Sequence, residues 1–286
     1  MTDIYSIDWN YAWNNPGPDN KKDPSGCSDR WTNPDKCRKF DSFVKKDNYK
    51  GSAARIKAMD INPHSRVLDI GAGPGSLAVP LSSLVEHVTA VEPSPGMTDC
   101  LYGNIKSRGI KNIDVVMKKW EDVVPLKDLS GPYDIVFASY SLGVPDLREA
   151  LSKMNEVSSK YVYIFWFSDM LSSWRRNYRE IWGSLFNEKI PCKRCPNIIY
   201  NLLGQMGIYA NVEVTKEEHV TRYKSVDEAV SDVGYSLMLK ESFQFDILKN
   251  YLEMRLVYEN GVYLLKNTSF QDKIWWQKDF QENPRI

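Results

Sequence analysis

The stretch VLDIGAGPGSLAVPL, residues 67–81, sets a short apolar run, an acid and three alternate glycines ahead of a helix-like segment. The run VLDI reads as a buried strand, and Gly71, Gly73 and Gly75 occupy the turn behind it. A ligand approaching the carboxyl end of such a strand meets this turn, where a Cβ would block close contact with the backbone. Glycine permits both the turn and the contact. The spacing is G-x-G-x-G; a dinucleotide fingerprint places its third glycine at position 76, which here is Ser76.

The next signal lies at the end of the following strand, in VTAVEPSPGM. Glu92 stands 21 residues beyond Gly71, where its carboxylate can accept hydrogen bonds from both hydroxyls of a ribose held over the glycine turn. The plain alternative is a solvated acid in a loop. The glycine pattern by itself is compatible with nicotinamide, flavin or S-adenosylmethionine, or with a tight turn and no ligand. Further along, residues 66–70, 88–91, 113–116, 135–139 and 161–167 read as strands. Residues 75–85, 95–106 and 146–157 read as the helices between them. Apolar strands joined by helical crossovers make a doubly wound parallel sheet with helices on both faces.

Residues 1–39 form an irregular aromatic arm in which Trp9, Tyr11, Trp13 and Trp31 sit among Pro, Gly, Asn and Asp. Residues 40–59 read as one helix with a solvated lysine face, ended by Asn62-Pro63. The expected division is the arm (1–39), a core (40–168), a helical insertion or cap that includes a sixth strand (169–258) and a closing strand or hairpin (259–286). Composition limits the partners. The 286 residues carry 37 basic and 37 acidic side chains, so no overall positive field draws the chain onto nucleic acid or anionic membrane. The opening residues lack an apolar stretch and the longest apolar run, 161–167, is too short to span a bilayer, so the expectation is a cytoplasmic protein.

Cys192 and Cys195 have C-x-x-C spacing, but Cys27 and Cys37 are ten positions apart rather than two to four, so no metal site is expected. The odd total of five cysteines points to reduced thiols. Of the three histidines, His64 and His87 precede strands, on the side away from the expected site. His219 lies near the end of the sixth strand, where a surface position and a pocket-facing one both remain open.

Taken together, these segments resemble the class I S-adenosylmethionine-dependent methyltransferases. VLDIGAGPGSLAVPL is similar to their first motif and VTAVEPSPGM to their second. VVMKKWEDV is similar to the adenine-side segment after the third strand, and YDIVFASYSL to the fourth strand and its exit. The resemblance covers residues 48–167 and implies a Rossmann-like, mostly parallel, seven-stranded sheet with a helical insertion as a cap. It implies that Asp69 supports the turn and reaches the methionine amino group, that the backbone of Gly71, Ala72 and Gly73, with Gly75, faces the cofactor, and that Glu92 holds the ribose. Pro93, Ser94 and Met97 would flank ribose and adenine, Trp120 and Glu121 the adenine edge, and Ser139 and Tyr140 the sulfonium, with Tyr140 as the catalytic candidate. The Ser139-Tyr140 exit departs from the Asn/Asp-Pro-Pro-aromatic motif of enzymes that methylate nucleobase amines. The expected reaction is methyl transfer to a small-molecule acceptor by in-line displacement. The alternatives are a protein or RNA acceptor, or, in another class, a nicotinamide-dependent oxidoreductase or a non-catalytic nucleotide-binding regulator.

Overall fold

The computed structural model describes residues 6–15, 31–46, 48–168, 176–190 and 196–278. Strands β1 (Arg66–Ile70), β2 (His87–Val91), β3 (Ile113–Val116), β4 (Tyr133–Ser139) and β5 (Ser158–Phe167) run parallel in the order β3-β2-β1-β4-β5. Beyond β5 the sheet turns antiparallel. The strand β8 (Val262–Gln277) pairs with β5, and β6 (Asn211–Tyr223) pairs with β8 along its whole length. A short β7 (Leu256–Glu259) lies on the other side of the first residues of β8.

Eight strands are thus present among the described residues, where seven were expected. The closing segment, expected over 259–286 as a strand or hairpin, contains one continuous strand of 16 residues. Its polar middle masks that continuity in the sequence. The hairpin partner of β8 is β7, which straddles the expected boundary between the cap and the closing segment.

Helices cover both faces. On one lie α1 (Trp9–Asn14), α7 (Leu147–Val157) and α9 (Pro196–Gln205), which bury Trp13, Leu151, Met154 and Leu202 against Leu68, Val136, Ile164 and Trp276. On the other lie α3 (Lys50–Lys57), α4 (Ala78–Leu81) and α5 (Pro95–Arg108), over Val67, Ala90, Phe137 and Phe165. The continuous apolar burial of β1 and β4 follows from this double cover. The remaining helices are α2 (Pro34–Lys46), α6 (Pro125–Asp128), α8 (Arg179–Phe186), α10 (Val226–Leu237) and α11 (Ser242–Arg255). α8, α10 and α11 build a third, smaller core with Tyr223 and Leu265 at the far end of the β6–β8 pair.

The segment read as one helix over 40–59 is two, α2 and α3. They are broken at Asn48 and Tyr49, which both adopt positive φ (53° and 63°). The break redirects the chain, so that α2 packs on α5 while α3 lies on the sheet. Trp13 is fully buried, donates its indole N–H to the Val144 carbonyl at 3.0 Å and packs on Trp166 with ring centroids 5.7 Å apart. It therefore pins the arm to the α7 face.

Candidate functional site

The site forms where β1, β2 and β4 end. Gly71, Gly73 and Gly75 all have positive φ, 75°, 59° and 86°, a region that L side chains enter at a cost of roughly 1–2 kcal/mol. Their surroundings differ. A Cβ on Gly71 would overlap Ser141, and one on Gly75 would come within 2.6 Å of Val79 and 2.7 Å of Leu101. One on Gly73 meets nothing within 4 Å among the described residues, its chain neighbours aside, so there it presents bare backbone.

Glu92 is buried, at 5 % exposure, and bridges the turn to the next helix. Its Oε2 accepts from Gly73 N–H and its Oε1 from Ser94 N–H, both at 2.8 Å. Each oxygen has two lone pairs and uses one on the backbone. A second acid lies behind it. Asp69 is buried, and its Oδ2 has no hydrogen-bond partner among the described residues. Burial, reinforced by the Glu92 charge, pushes its carboxyl up to about 8. Burial also raises Glu92, opposed by its two backbone bonds.

Ser94 caps α5. Its Oγ accepts from Met97 N–H at 3.3 Å and donates to the Trp31 carbonyl at 2.7 Å, so the hydroxyl is occupied by the protein itself. Met97 is buried beneath it, Ala72 is buried, and Pro93 is half-buried. α2 is latched over this side. Asn104 of α5 donates to Asp41 of α2 at 2.7 Å and to the Pro74 carbonyl of the glycine turn at 2.9 Å. Trp120 and Glu121 open a short 3-10 turn after β3. The Trp120 indole faces inward, donating to the Ala150 carbonyl at 3.2 Å, which leaves only its backbone for a ligand.

At the exit of β4, Ser139 accepts a hydrogen bond from Arg55 Nη1 at 2.5 Å. Tyr140 follows with φ 57°, a left-handed conformation costly for a bulky side chain. Its ring packs on Phe167 at 4.5 Å, and its hydroxyl donates to Gln271 Oε1 at 2.5 Å. Burial raises the phenol well above its ordinary value, so it stays protonated. Arg55, whose guanidinium lies 5.6 Å from the Tyr140 ring and opposes the rise of Asp69, was hidden in the sequence among the lysines of the 40–59 segment. Gln271 was hidden in the unread middle of β8.

Known proteins share this construction. Residues 67–160 match the family model for a methyltransferase domain. These residues carry a methyltransferase domain of the S-adenosylmethionine-dependent kind. An uncharacterised protein of Haemophilus influenzae is 30% identical over 187 residues, covering 64% of this chain and 65% of that one. A protein-L-isoaspartate O-methyltransferase of Methanoculleus marisnigri is 33% identical over 94 residues, 32% of this chain and 41% of its own length. A ribosomal RNA small subunit methyltransferase A of Kineococcus radiotolerans is 28% identical over 114 residues, 38% of this chain and 37% of that one. The chain thus spans less than two thirds of each of these three curated relatives. Among solved structures, a candidate methyltransferase of Bacillus halodurans covers 79% of this chain and 97% of its own, with a TM-score of 0.50 at 15% identity, a likeness of fold.

Class I methyltransferases share the sheet and differ in what surrounds its carboxyl edge. Here that edge is flanked by α2 on one side and the α8, α10, α11 cluster on the other. The two meet where Lys39 of α2 lies 5.2 Å from the Tyr235 ring of α10. Among the described residues no group of three or more His, Cys, Asp or Glu is gathered as a metal site, and no helix is long and apolar enough to cross a membrane. Cys27, Cys192 and Cys195 lie outside the described residues; Cys37 is buried between Trp31, Ser94 and Gly96.

Proposed function

We propose that this protein is a methyltransferase that uses S-adenosylmethionine to methylate a small molecule. The observation that carries the cofactor assignment is the Glu92 bridge. One carboxylate holds the glycine turn and the start of α5 through two backbone N–H groups, and it retains a lone pair on each oxygen for the two hydroxyls of a ribose. The open face of Gly73 and the unpaired Oδ2 of Asp69 fit the same ligand. The first gives room beside the ribose, and the second a partner for the methionine ammonium.

Bound S-adenosylmethionine supplies a methyl group on a sulfonium that needs no further activation. The residues of the chain provide alignment, which contributes about 7–11 kcal/mol when the reacting atoms are held in line. Gly71, Ala72, Gly73 and Gly75 shape the turn, while Pro93, Met97 and the backbone of Trp120 and Glu121 bound the ribose and adenine. The Ser94 hydroxyl, already donated to Trp31, acts through the arm and not on the ligand. Ser139 and Tyr140 wall the methyl-transfer point. A phenol kept protonated by burial orients a neighbour and does not remove a proton.

A small acceptor is favoured over a nucleic acid by charge. The carboxylates of Glu217 and Asp272 act on Tyr140, while Arg55, the cation beside it, is held by Ser139 and the Gly51 carbonyl. A polyanion needs a series of free cations there.

Isothermal calorimetry tests the reading. S-adenosylmethionine and S-adenosylhomocysteine are expected to bind in the micromolar range and nicotinamide dinucleotides not at all. Tight NAD binding without a response to the sulfonium cofactor refutes the assignment.

A further inference from the structure

The face of the sheet that carries Tyr163 and Phe165 runs out along β6 and β8 past the end of β5. On that face the paired residues are Thr215 with Gln271, Glu217 with Ser269 and His219 with Asn267. Both ends of this stretch are covered. Towards the core, Lys273 Nζ donates to the Ala58 carbonyl at 3.3 Å, and the Trp275 ring stacks on Tyr163. Towards the cap, Tyr223 and Leu265 are buried under α8, α10 and α11.

A strand face that passes between two apolar cores is expected to stay apolar, because its side chains alternate strictly in and out. Here three successive pairs are polar, and Ser269 and Gln271 are buried nonetheless. The stretch adjoins the methyl-transfer point, since Gln271 accepts the Tyr140 hydroxyl and Tyr140 packs on Phe167. Along β8, Gln271 and Ser269 are two residues apart, roughly 7 Å, the length of a small molecule.

The charges on this floor are one-sided. His219 Nε2 lies 2.8 Å from Ser269 Oγ and 3.8 Å from Glu217 Oε2. Glu217 is partly buried on a strand whose other residues, Tyr223 apart, are exposed, and its charge helps to raise the Tyr140 phenol. The guanidiniums at the two ends are already engaged. Arg55 donates to Ser139 and the Gly51 carbonyl, and Arg255 donates to the Asn177 and Lys266 carbonyls, to Asn267 Oδ1 and to the Tyr251 hydroxyl. Among the described residues the floor therefore offers a carboxylate beside uncharged hydrogen-bonding groups, and the guanidiniums at its ends direct their hydrogen bonds to other partners.

We propose that the floor formed by Thr215, Glu217, His219, Asn267, Ser269 and Gln271 is the acceptor subsite, and that it recognises a small molecule bearing a protonated amine, paired with Glu217. The proposal rests on the methyl-transfer reading above and adds the chemical class of the acceptor. His219, held by Ser269, lies beside the Glu217 carboxylate on one side, and the amine approaches from the Tyr140 side.

The test uses the full chain saturated with S-adenosylhomocysteine and three probes of one shape: 3-phenylpropylamine, 3-phenylpropanol and 3-phenylpropionate. The readout is the ring Cε1–H signal of His219, with His64 and His87 as internal controls. The amine is expected to shift the His219 signal alone and to bind about tenfold or more tighter than the alcohol, the scale of one charge-assisted contact. The carboxylate should leave the signal in place. Glu217→Gln should abolish the preference for the amine while S-adenosylhomocysteine affinity stays within about twofold of the parent, as expected for a residue off the cofactor. Preference for the carboxylate, an unmoved His219 signal with the amine, or an amine preference that survives Glu217→Gln each overturns the subsite. If S-adenosylhomocysteine itself fails to bind, the methyl-transfer reading falls; the same three probes on the free chain then decide the floor by the same criteria.

Discussion

Adding one methyl group at Gly73 separates ligand binding from folding, because the three glycines of the turn are there for different reasons. In Gly73→Ala the new Cβ meets no atom of the described residues within 4 Å, its chain neighbours aside, so the stability cost is that of holding an L residue at φ 59°. That costs about 1–2 kcal/mol and is partly offset by about 0.4–1 kcal/mol from the stiffer unfolded chain, a net loss of about 1 kcal/mol. The same methyl points into the space assigned to the cofactor, and displacing a ligand there should weaken it by about tenfold to a hundredfold, or about 1.4–2.8 kcal/mol. Gly75→Ala reverses the balance, since its Cβ is driven against Val79 and Leu101 in a packed core, a strain of typically about 1–3 kcal/mol added to the φ cost. Urea denaturation and calorimetry with S-adenosylhomocysteine on the same samples measure both quantities. If Gly73→Ala binds the cofactor like the parent, the ligand does not lie against that backbone and the reasoning fails.

Glu92→Ala should lose cofactor affinity by about 1.5–3 kcal/mol and stability by about 1–3 kcal/mol, because it removes a ribose partner and also strands the Gly73 and Ser94 N–H groups; calorimetry and denaturation that show a stability loss alone count against the ribose role. For Asp69 the folded carboxyl titrates near 8 and the unfolded one near 3.9, so the folded state holds the extra proton between those values and stability falls as pH rises through the window. Asp69→Asn should therefore gain on the parent in urea midpoint from pH 5 to pH 8, whereas parallel profiles would show that the acid is not perturbed. Trp13→Ala should cost about 3–5 kcal/mol in denaturation, as for a fully buried tryptophan, and a loss below about 1 kcal/mol would contradict its place in the core. Arg55→Ala should change cofactor affinity, because it removes the cation that opposes the rise of the Asp69 carboxyl and frees the Ser139 hydroxyl; an unchanged binding isotherm argues that the guanidinium acts on neither.

The parallel half of the molecule was readable because its physics is local. A strand buried on both faces must be continuously apolar, a turn beneath a ligand must be glycine, and an acid at the next strand end has a fixed spacing, so β1, β2 and the Gly71 to Glu92 pair stand out in one sequence. What stayed hidden depends on partners distant in the chain. Arg55 reads as one more cation on a lysine face until the break at Asn48 and Tyr49 aims its helix at Ser139. The six polar side chains of the β6–β8 floor read as loop or exposed strand until pairing sets them on one face between two cores. Ser94 was expected near the ribose, but its hydroxyl is taken by Trp31, a contact that no spacing encodes. Trp13 was legible only as one aromatic of an irregular arm, and its anchoring role rests on the Val144 bond and the Trp166 ring.

The 16 residues of β8 belong to two neighbourhoods at once, the last of them laddered to β5 and the first to β7, with β6 alongside almost throughout. A linker of loose chain would let evolution or an engineer exchange the helical cluster as a cassette, with the cofactor sheet left untouched. Here the beam runs through the joint, so any graft that replaces α10 and α11 must keep the register of β8 or shift every side chain opposite β5 by one position and turn the sheet face inside out. Changes of substrate in this lineage should accordingly arise by point replacement along the beam, at positions such as 267, 269 and 271, and not by wholesale traffic in caps.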